Sequence, residues 1–259
     1  MRVARSKGRD ELTWLAASGK GVIMRAIGLW VTLTLALGAV ACSEDVDSTD
    51  VKTSGVYAVM STIADDSGQS KVTVDLKVGG SNSNTHLDLK AEDKLTATVA
   101  TTTKTLSQNR NVYETTFDGQ AEGTVFVVAF TRGADDKSAP NSTMTLPAPF
   151  TVGGITAGQT VSRQTGFTAT WTLSTDAMQW TIDSPASGCL FLASKPISDT
   201  GQTVITAADF SVHSGEEQAT CNATFCLERT RKGALDPAYG EGGVINATQK
   251  RCVAFNSAP

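Results

Sequence analysis

Apolar residues recur at every second position through much of the chain. In KVTVDLKV, at 71–78, valine and leucine alternate with threonine, aspartate and lysine, and similar alternation surrounds Asp88 and continues at 95–99. Such alternation places one side of an extended segment on a core and the other side in water. The run TVFVVAF, at 124–130, is apolar on both sides, which predicts a central strand.

Turn-forming segments separate these runs, and no 3.6-residue period is sustained anywhere after the first 41 residues. Strands at this spacing predict an all-β chain built from antiparallel β-sandwiches. Two prolines in TLPAPFTVGG, at 145–154, cannot lie inside a central strand and mark a domain boundary. We therefore predict one sandwich over 54–152 and a second over 153–259.

Two tryptophans indicate what kind of sandwich this is. Trp171 shares a face with Phe167 and Leu173, and Trp180 lies on the next run, after a turn at 174–177. A tryptophan on such a strand usually fills the core of a small sandwich. This pair resembles the tryptophan-bearing strands of fibronectin type III and immunoglobulin-like domains, which implies an Ig-like fold with both rings buried.

The N-terminus has the pattern of an export signal. Residues 26–41 are uncharged and mostly apolar, Lys20 and Arg25 precede them, and Cys42 follows. Sixteen residues are too few for an ordinary membrane-spanning helix, whereas a basic start, a short apolar stretch and small residues before a cleavage point are typical of a secretory signal peptide. Because residues 1–23 are long and mixed for such a signal, Met24 is the expected translation start.

The residues before Cys42 carry a second resemblance. Ala39, Val40, Ala41 and Cys42 resemble the lipobox of bacterial lipoprotein precursors. This implies removal of residues 1–41 and a diacylglyceryl thioether on Cys42, with acyl chains such as palmitate. Ser43 in place of aspartate implies, by resemblance to enteric lipoproteins, location at the outer membrane. The alternatives are an ordinary signal peptide, with Cys42 left as a free thiol, and a retained anchor helix.

The rest of the chain is acidic. Residues 1–41 carry six basic and two acidic side chains, a net of +4, so their removal takes the formal charge from −4 to −8. An acidic body repels nucleic acid and anionic membranes, so membrane attachment has to come from acyl chains. The polar, acidic stretch 42–53 begins with the lipidated cysteine and is predicted to be a flexible tether.

Four further cysteines lie in the second half of the chain, where an even count in an exported protein predicts two disulfides. Three pairings are possible. We favour Cys226–Cys252, across a hairpin whose turn is the Gly-rich stretch 238–244, and Cys189–Cys221 between neighbouring segments. The alternative is a zinc site with four cysteine ligands, which the spacing matches poorly, and no metal site is predicted.

No catalytic motif accompanies these features. The two histidines available after the signal segment, His86 and His213, lie outside any nucleophile or metal-binding motif. Adjacent acids such as Asp65–Asp66 and Glu216–Glu217 are interpreted as turn residues. The basic run Arg229, Arg231 and Lys232 is interpreted as the exposed face of a hairpin arm, with an anionic partner as the alternative.

Taken whole, with its lipobox, its proline-containing hinge at 146–150 and its Gly-rich hairpin at 229–243, the chain resembles uncharacterised lipoproteins of Gram-negative bacteria. We expect a non-catalytic module, anchored in the outer membrane by its acyl chains, that binds an envelope protein or glycan or has a structural role. No cofactor is expected. The alternatives are an envelope hydrolase that uses loop carboxylates and an accessory subunit of a secretion or outer-membrane assembly machine.

Overall fold

A computed structural model describes residues 45–133, 136–186 and 188–259. The predicted signal peptide, Met24 and Cys42 lie outside the described residues. The described residues belong to one compact unit. Their regular elements are strands and three single 3-10 turns, at Ser48–Asp50, Thr53–Gly55 and Ala207–Asp209, and loops and turns connect them. The prediction of an all-β sandwich fold is therefore confirmed.

The first half of this unit contains ten strands. They are β1 (Asp45–Asp47), β2 (Val56–Ala64), β3 (Gln69–Val78), β4 (His86–Asp88), β5 (Lys94–Val99), β6 (Thr102–Thr105), β7 (Ser107–Asn109), β8 (Val112–Asp118), β9 (Val125–Thr131) and β10 (Ala139–Thr145). One sheet has β3 at its centre, paired with β2, β4 and β8, and the other has the order β10-β9-β5-β6. Alternate apolar residues of both sheets meet in one core, as the period-two pattern requires.

The second half contributes seven strands to the same unit. They are β11 (Thr160–Ser162), β12 (Phe167–Thr170), β13 (Ala177–Asp183), β14 (Ala193–Ile197), β15 (Gln202–Ile205), β16 (Cys221–Lys232) and β17 (Val244–Ala258). The strands β17, β16, β13 and β14 continue the large sheet, while β12 pairs with β15. A second core lies between them, and it contains both predicted tryptophans, Trp171 and Trp180, with 8% and 2% of their surface exposed.

The β16–β17 hairpin belongs to both cores. Its strands pair without interruption from Cys221 opposite Ser257 to Lys232 opposite Asn246. The C-terminal half of β17 packs Phe255 into the second core. The N-terminal half pairs with β2 in parallel and places Ile245 in the first core, together with Tyr239 from the hairpin turn. The first sandwich is thus completed by a hairpin from the far end of the chain.

Two features of this topology differ from the sequence-based expectation. Three strand pairs, β1–β4, β11–β17 and β2–β17, are parallel, although the sandwiches were predicted to be antiparallel. The two hydrophobic clusters lie largely on either side of the predicted boundary at 152, but the hairpin is shared between them. The division into two domains, 54–152 and 153–259, stays a prediction.

The basic run on β16 is not an exposed face, so the favoured interpretation of it was wrong. Arg229 has none of its surface exposed and forms an ion pair with Asp199. Arg231 is half-buried and binds Asp176 through Nε at 2.8 Å. Both arginines lie on the core-facing side of the strand, where the two cores meet, and only Lys232 is exposed.

The proline-containing segment between the cores is bound to this hairpin. Prolines supply no N–H group and interrupt strand pairing. The carbonyl groups of this segment therefore need hydrogen-bond donors other than a neighbouring strand. Three consecutive carbonyls are each bound by a different hairpin side chain. They are the carbonyls of Leu146, Pro147 and Ala148, which accept hydrogen bonds from Arg231, Gln249 and Arg229 respectively. The segment is therefore fixed along the hairpin.

Residues 45–53, which were predicted to be part of a flexible tether, are instead bound to the first sandwich. Strand β1 pairs with β4, and Ser48 and Thr53 are fully buried. The Arg132 guanidinium donates to the carbonyls of Ser48 and Val51 and to the Thr53 hydroxyl. We call the end of the body formed by Asp45–Gly55, the loop 79–85 and the turn 90–93 the N-terminal pole.

Candidate binding surface

Two loops lie together at the end of the second core that is remote from the N-terminal pole. The first, 184–192, joins β13 to β14 and is described except for Ser187. The second, 206–220, joins β15 to β16. Strand β13 ends opposite the beginning of β16, so both loops emerge at the same end of the sheet. We call this surface the distal tip.

The two loops are fixed to each other. The Cys189–Cys221 disulfide links the first loop to the start of β16, and Leu190 forms an isolated β-bridge with Val212. The Phe191 N–H donates to the carbonyl of Ser211 at 2.8 Å. A disulfide and backbone hydrogen bonds of this kind reduce the freedom of loops that would otherwise be mobile.

A buried arginine fixes the second loop from below. Arg163, 6% exposed, donates to the carbonyls of Glu217 and Ala219 and to the carbonyl of Ser257 on β17. Its guanidinium also lies 3.6 Å from the Cys189 sulfur. Because the loop carbonyls and the C-terminal strand share one donor group, the loop is held at a fixed distance from the sheet.

The distal tip exposes two large apolar side chains. Phe191 and Leu192 are 49% and 66% exposed. The Phe191 ring lies against the ring of His213, with centroids 3.7 Å apart. Adjacent exposed apolar side chains on well-fixed loops can bury their surface in a partner, and phenylalanine is among the aromatic residues that are enriched at protein interfaces. Sequence analysis missed this surface because an isolated Phe-Leu pair is also typical of a core.

Two other exposed apolar residues provide a comparison. Leu173 and Val204 are 63% and 59% exposed, but both belong to the β12–β15 region rather than to the loops joined by the disulfide. Single exposed apolar residues are common on soluble proteins. These two therefore serve as controls for the distal tip.

The structure contains two disulfides, Cys189–Cys221 and Cys226–Cys252. They are the two pairs that the sequence analysis favoured. The second bond joins residues that face each other on β16 and β17. Within the described residues, no group of three or more His, Cys, Asp or Glu side chains is arranged to hold a metal ion.

The predicted site residues are dispersed. His86 lies on β4, where its Nδ1 is 2.9 Å from Asp75 Oδ1, whereas His213 belongs to the distal tip. Hydrogen bonds from the Ser67 side chain and backbone hold the pKa of Asp65 below its ordinary value. Backbone hydrogen bonds, from its own N–H and that of Gly215, lower the pKa of Glu217 in the same way. Such carboxylates stay ionised, as expected for turn residues rather than general acids.

A cavity of about 620 Å³ lies at the N-terminal pole. Its described lining consists of Thr49–Lys52 and Ala91–Asp93, which we call its walls, and of Arg132, Gly133 and Asp136, which we call its floor. Two of the lining carboxylates, Asp93 and Asp136, are already bound. Asp93 accepts from Arg132 Nε at 2.8 Å and from the Gly133 N–H at 2.7 Å, and Asp136 accepts from the Thr53 N–H at 3.0 Å. This arrangement stabilises the pole and occupies both of these carboxylates.

Comparison with known proteins identifies no family. No family model matches the sequence, and no curated protein matches it. Among solved structures, the chain is similar to the adhesin InvE of Yersinia pseudotuberculosis, with a TM-score of 0.24 and 13% identity over 78% of this chain and 60% of that chain. It is also similar to a Salmonella alpha-2-macroglobulin, with a TM-score of 0.23 and 8% identity over 79% of this chain and 15% of that chain. TM-scores this low carry no information about function.

No helix in the part of the chain that the structure describes is long and apolar enough to cross a membrane.

Proposed function

We propose that the protein is a non-catalytic module of the bacterial envelope, anchored in the outer membrane by acyl chains on Cys42, that binds a protein partner through the distal tip. The observation that carries the binding role is the exposure of Phe191 and Leu192 on the first loop of the distal tip. The Cys189–Cys221 disulfide and the hydrogen bond from the Phe191 N–H hold this loop in place, and Arg163 fixes the second loop beside it. Binding by a surface that is already ordered costs less entropy than binding by a mobile loop.

A protein partner is favoured over a glycan. Glycan-binding surfaces usually present exposed aromatic rings in a groove, whereas Trp171 and Trp180 are both buried. The tip presents one half-exposed phenylalanine beside a leucine, and this combination suits an apolar pocket on a folded protein. We therefore take a protein as the partner and keep a glycan as an outcome of the test.

The binding role is tested by photo-crosslinking in cells. A photoreactive amino acid replaces Leu192 in one strain and Leu173 in a second, as the matched control. We expect one discrete protein adduct from position 192 that is absent from position 173 and is lost when Phe191→Ser is added. Equal adducts at both positions, or adducts that persist in Phe191→Ser, would contradict the proposal. An adduct with a glycan or with a second copy of this chain would overturn the choice of another protein as the partner and would identify that molecule as the ligand of the distal tip.

The anchor is tested separately, by mass spectrometry of the protein extracted from membranes. Acylation predicts a mature N-terminus at Cys42 that carries a diacylglyceryl group, and Cys42→Ala should move the protein from the membrane to the soluble fraction. An unmodified chain that is already soluble would contradict the proposed anchoring and leave the distal tip as an independent question.

A further inference from the structure

We propose that the cavity at the N-terminal pole binds the headgroup of a zwitterionic phospholipid with an ammonium group, taken from the bilayer in which Cys42 is anchored. This inference rests on the proposed anchoring of Cys42. It adds a second contact with the membrane, made by the folded body itself, and it assigns an orientation to the distal tip.

The position of the cavity follows from how soon the chain becomes part of the fold. Two residues separate Cys42 from Asp45, where β1 begins to pair with β4. Three extended residue steps span at most about 10 Å. Residues 48–53 are then fixed by Arg132, so the chain cannot lengthen without breaking buried hydrogen bonds. An anchor on Cys42 therefore keeps the N-terminal pole close to the headgroups.

One wall of the cavity comes from the segment that follows the anchor. Thr49–Lys52 form one wall and Ala91–Asp93 the other. The volume, about 620 Å³, lies within the range of small-ligand sites. Anchoring thus brings the open cavity and the membrane surface together.

The charges of the cavity are complementary to a zwitterion. On the floor, Arg132 is neutralised by Asp93 and Asp136, at 2.8 and 2.9 Å. Among the described lining residues, Asp50 and Glu92 are exposed carboxylates and Lys52 is an exposed cation. Carboxylates suit the ammonium group of phosphatidylethanolamine, and a lysine suits its phosphate. A phosphatidylglycerol headgroup, which has no cation, would meet the same two carboxylates unfavourably.

The proposal also orients the body. The strand β17 has 15 residues and runs from the first core into the second, so it spans about 50 Å at 3.3 Å per residue. The loops of the distal tip lie beyond the far end of this strand. With the pole on the bilayer, Phe191 and Leu192 face the aqueous compartment at a distance of that order, where a protein partner can reach them.

The test uses the full acylated protein in vesicles whose bulk lipid is phosphatidylglycerol, which has no ammonium group, and which contain a small fraction of a photoactivatable phospholipid. One sample contains a phosphatidylethanolamine and the other a phosphatidylglycerol, each with the diazirine close to the glycerol. After illumination, mass spectrometry locates the lipid adducts. We expect adducts on peptides that contain residues 49–52 or 90–93, with a several-fold higher yield from phosphatidylethanolamine than from phosphatidylglycerol.

Matched variants separate headgroup binding from simple proximity. The double variant Asp50→Asn/Glu92→Gln should reduce the phosphatidylethanolamine adducts several-fold, whereas Glu216→Gln, an exposed acid on the distal tip, should not change them. Equal yields from the two lipids, adducts spread over the whole body, or no effect of the double variant would overturn the proposal. Absence of acylation, seen in the mass of the intact protein, would instead contradict the proposed anchoring.

Discussion

The guanidinium of Arg229 lies 3.1 Å from the carboxylate of Asp199, and both side chains are almost completely inaccessible to solvent. Asp199 also accepts a hydrogen bond from the indole N–H of Trp171 at 2.7 Å. Arg229 donates in addition to the carbonyls of Ala148 and Thr172. One network, centred on this pair, therefore joins the proline-containing segment between the two cores, Trp171 directly after β12 and the shared hairpin.

Replacing Arg229 by methionine should destabilise the protein strongly. The substitution leaves Asp199 as a buried charge without its cation, and breaking such a pair costs about 3–5 kcal/mol. Urea unfolding at neutral pH measures the loss in the free energy of unfolding. Lys232→Met on the same strand removes an exposed cation and should change this free energy by less than about 0.5 kcal/mol. Equal effects of the two variants would contradict the structural role of Arg229.

Tyr239→Phe should stabilise the protein. Among the described residues, the Tyr239 hydroxyl has no hydrogen-bond partner although it is buried, and an unsatisfied buried polar group costs about 1–3 kcal/mol. The phenyl ring can keep its stacked contact with Phe130, whose centroid is 6.2 Å away. Thermal and urea unfolding should show a gain of about 1 kcal/mol or more at neutral pH, and a loss would contradict the assignment.

The same residue makes the fold sensitive to alkali. Burial raises the pKa of Tyr239 well above its ordinary value. The unfolded chain therefore releases this proton near pH 10 while the folded chain keeps it, so the free energy of unfolding falls as the pH rises above about 10. The slope of stability against pH in this range should be smaller in Tyr239→Phe. Identical slopes in the two proteins would show that Tyr239 does not titrate differently on folding.

Acid sensitivity should be traceable in part to Asp176. Burial raises the pKa of this carboxyl, but the hydrogen bond and positive charge of Arg231 outweigh that effect and lower it overall. The resulting stability is present above the ordinary pKa near 4 and is lost as the pH falls through the folded-state value. Asp176→Asn should be less stable than the native protein at pH 7 and should lose less stability on acidification. Asp183→Asn, at an exposed position, is the control.

The first sandwich should not fold without the hairpin. A chain cut after residue 152 loses Tyr239, Ile245 and Ala247 from its core and leaves one side of β2 without its partner β17. Nuclear magnetic resonance of residues 45–152 should show poorly dispersed signals, whereas residues 45–259 should give a dispersed spectrum. A well-dispersed spectrum of the shorter chain would support two autonomous domains, as the sequence analysis predicts.

Local patterns in the sequence predict much of the fold. The alternation at 71–78 corresponds to β3, whose Val72, Val74 and Leu76 are fully buried, and the tryptophans fill the second core because large apolar side chains leave water. Pairing between distant segments is not encoded in such patterns. Nothing in the composition of 244–249 indicates that β17 pairs with β2, because parallel pairing leaves no turn to mark it.

The candidate site was less accessible to prediction than the fold. The arginines at 229 and 231 were predicted to form a solvated face because buried arginines are rare. Their acidic partners could not be recognised, since they lie more than 25 residues away in the sequence. The stretch 45–53 was predicted to be a tether because its contacts come from residues that are distant in the sequence, among them strand β4 and Arg132. Exposure of Phe191 and Leu192 depends on loop geometry, which apolar residue types do not reveal.

The placement of β2 between β3 and β17 determines how the body would respond to a mechanical load. The chain enters β2 from the N-terminal pole, so tension between a membrane anchor and a ligand at the distal tip would pull β2 lengthwise. Nine residue pairs with β3 and six with β17 would then be loaded together rather than one after another. Strand pairs that are loaded in shear have to break together, so they resist extension far better than strands that are peeled apart one pair at a time. Tension between an anchor and a bound partner would therefore not readily unfold this body.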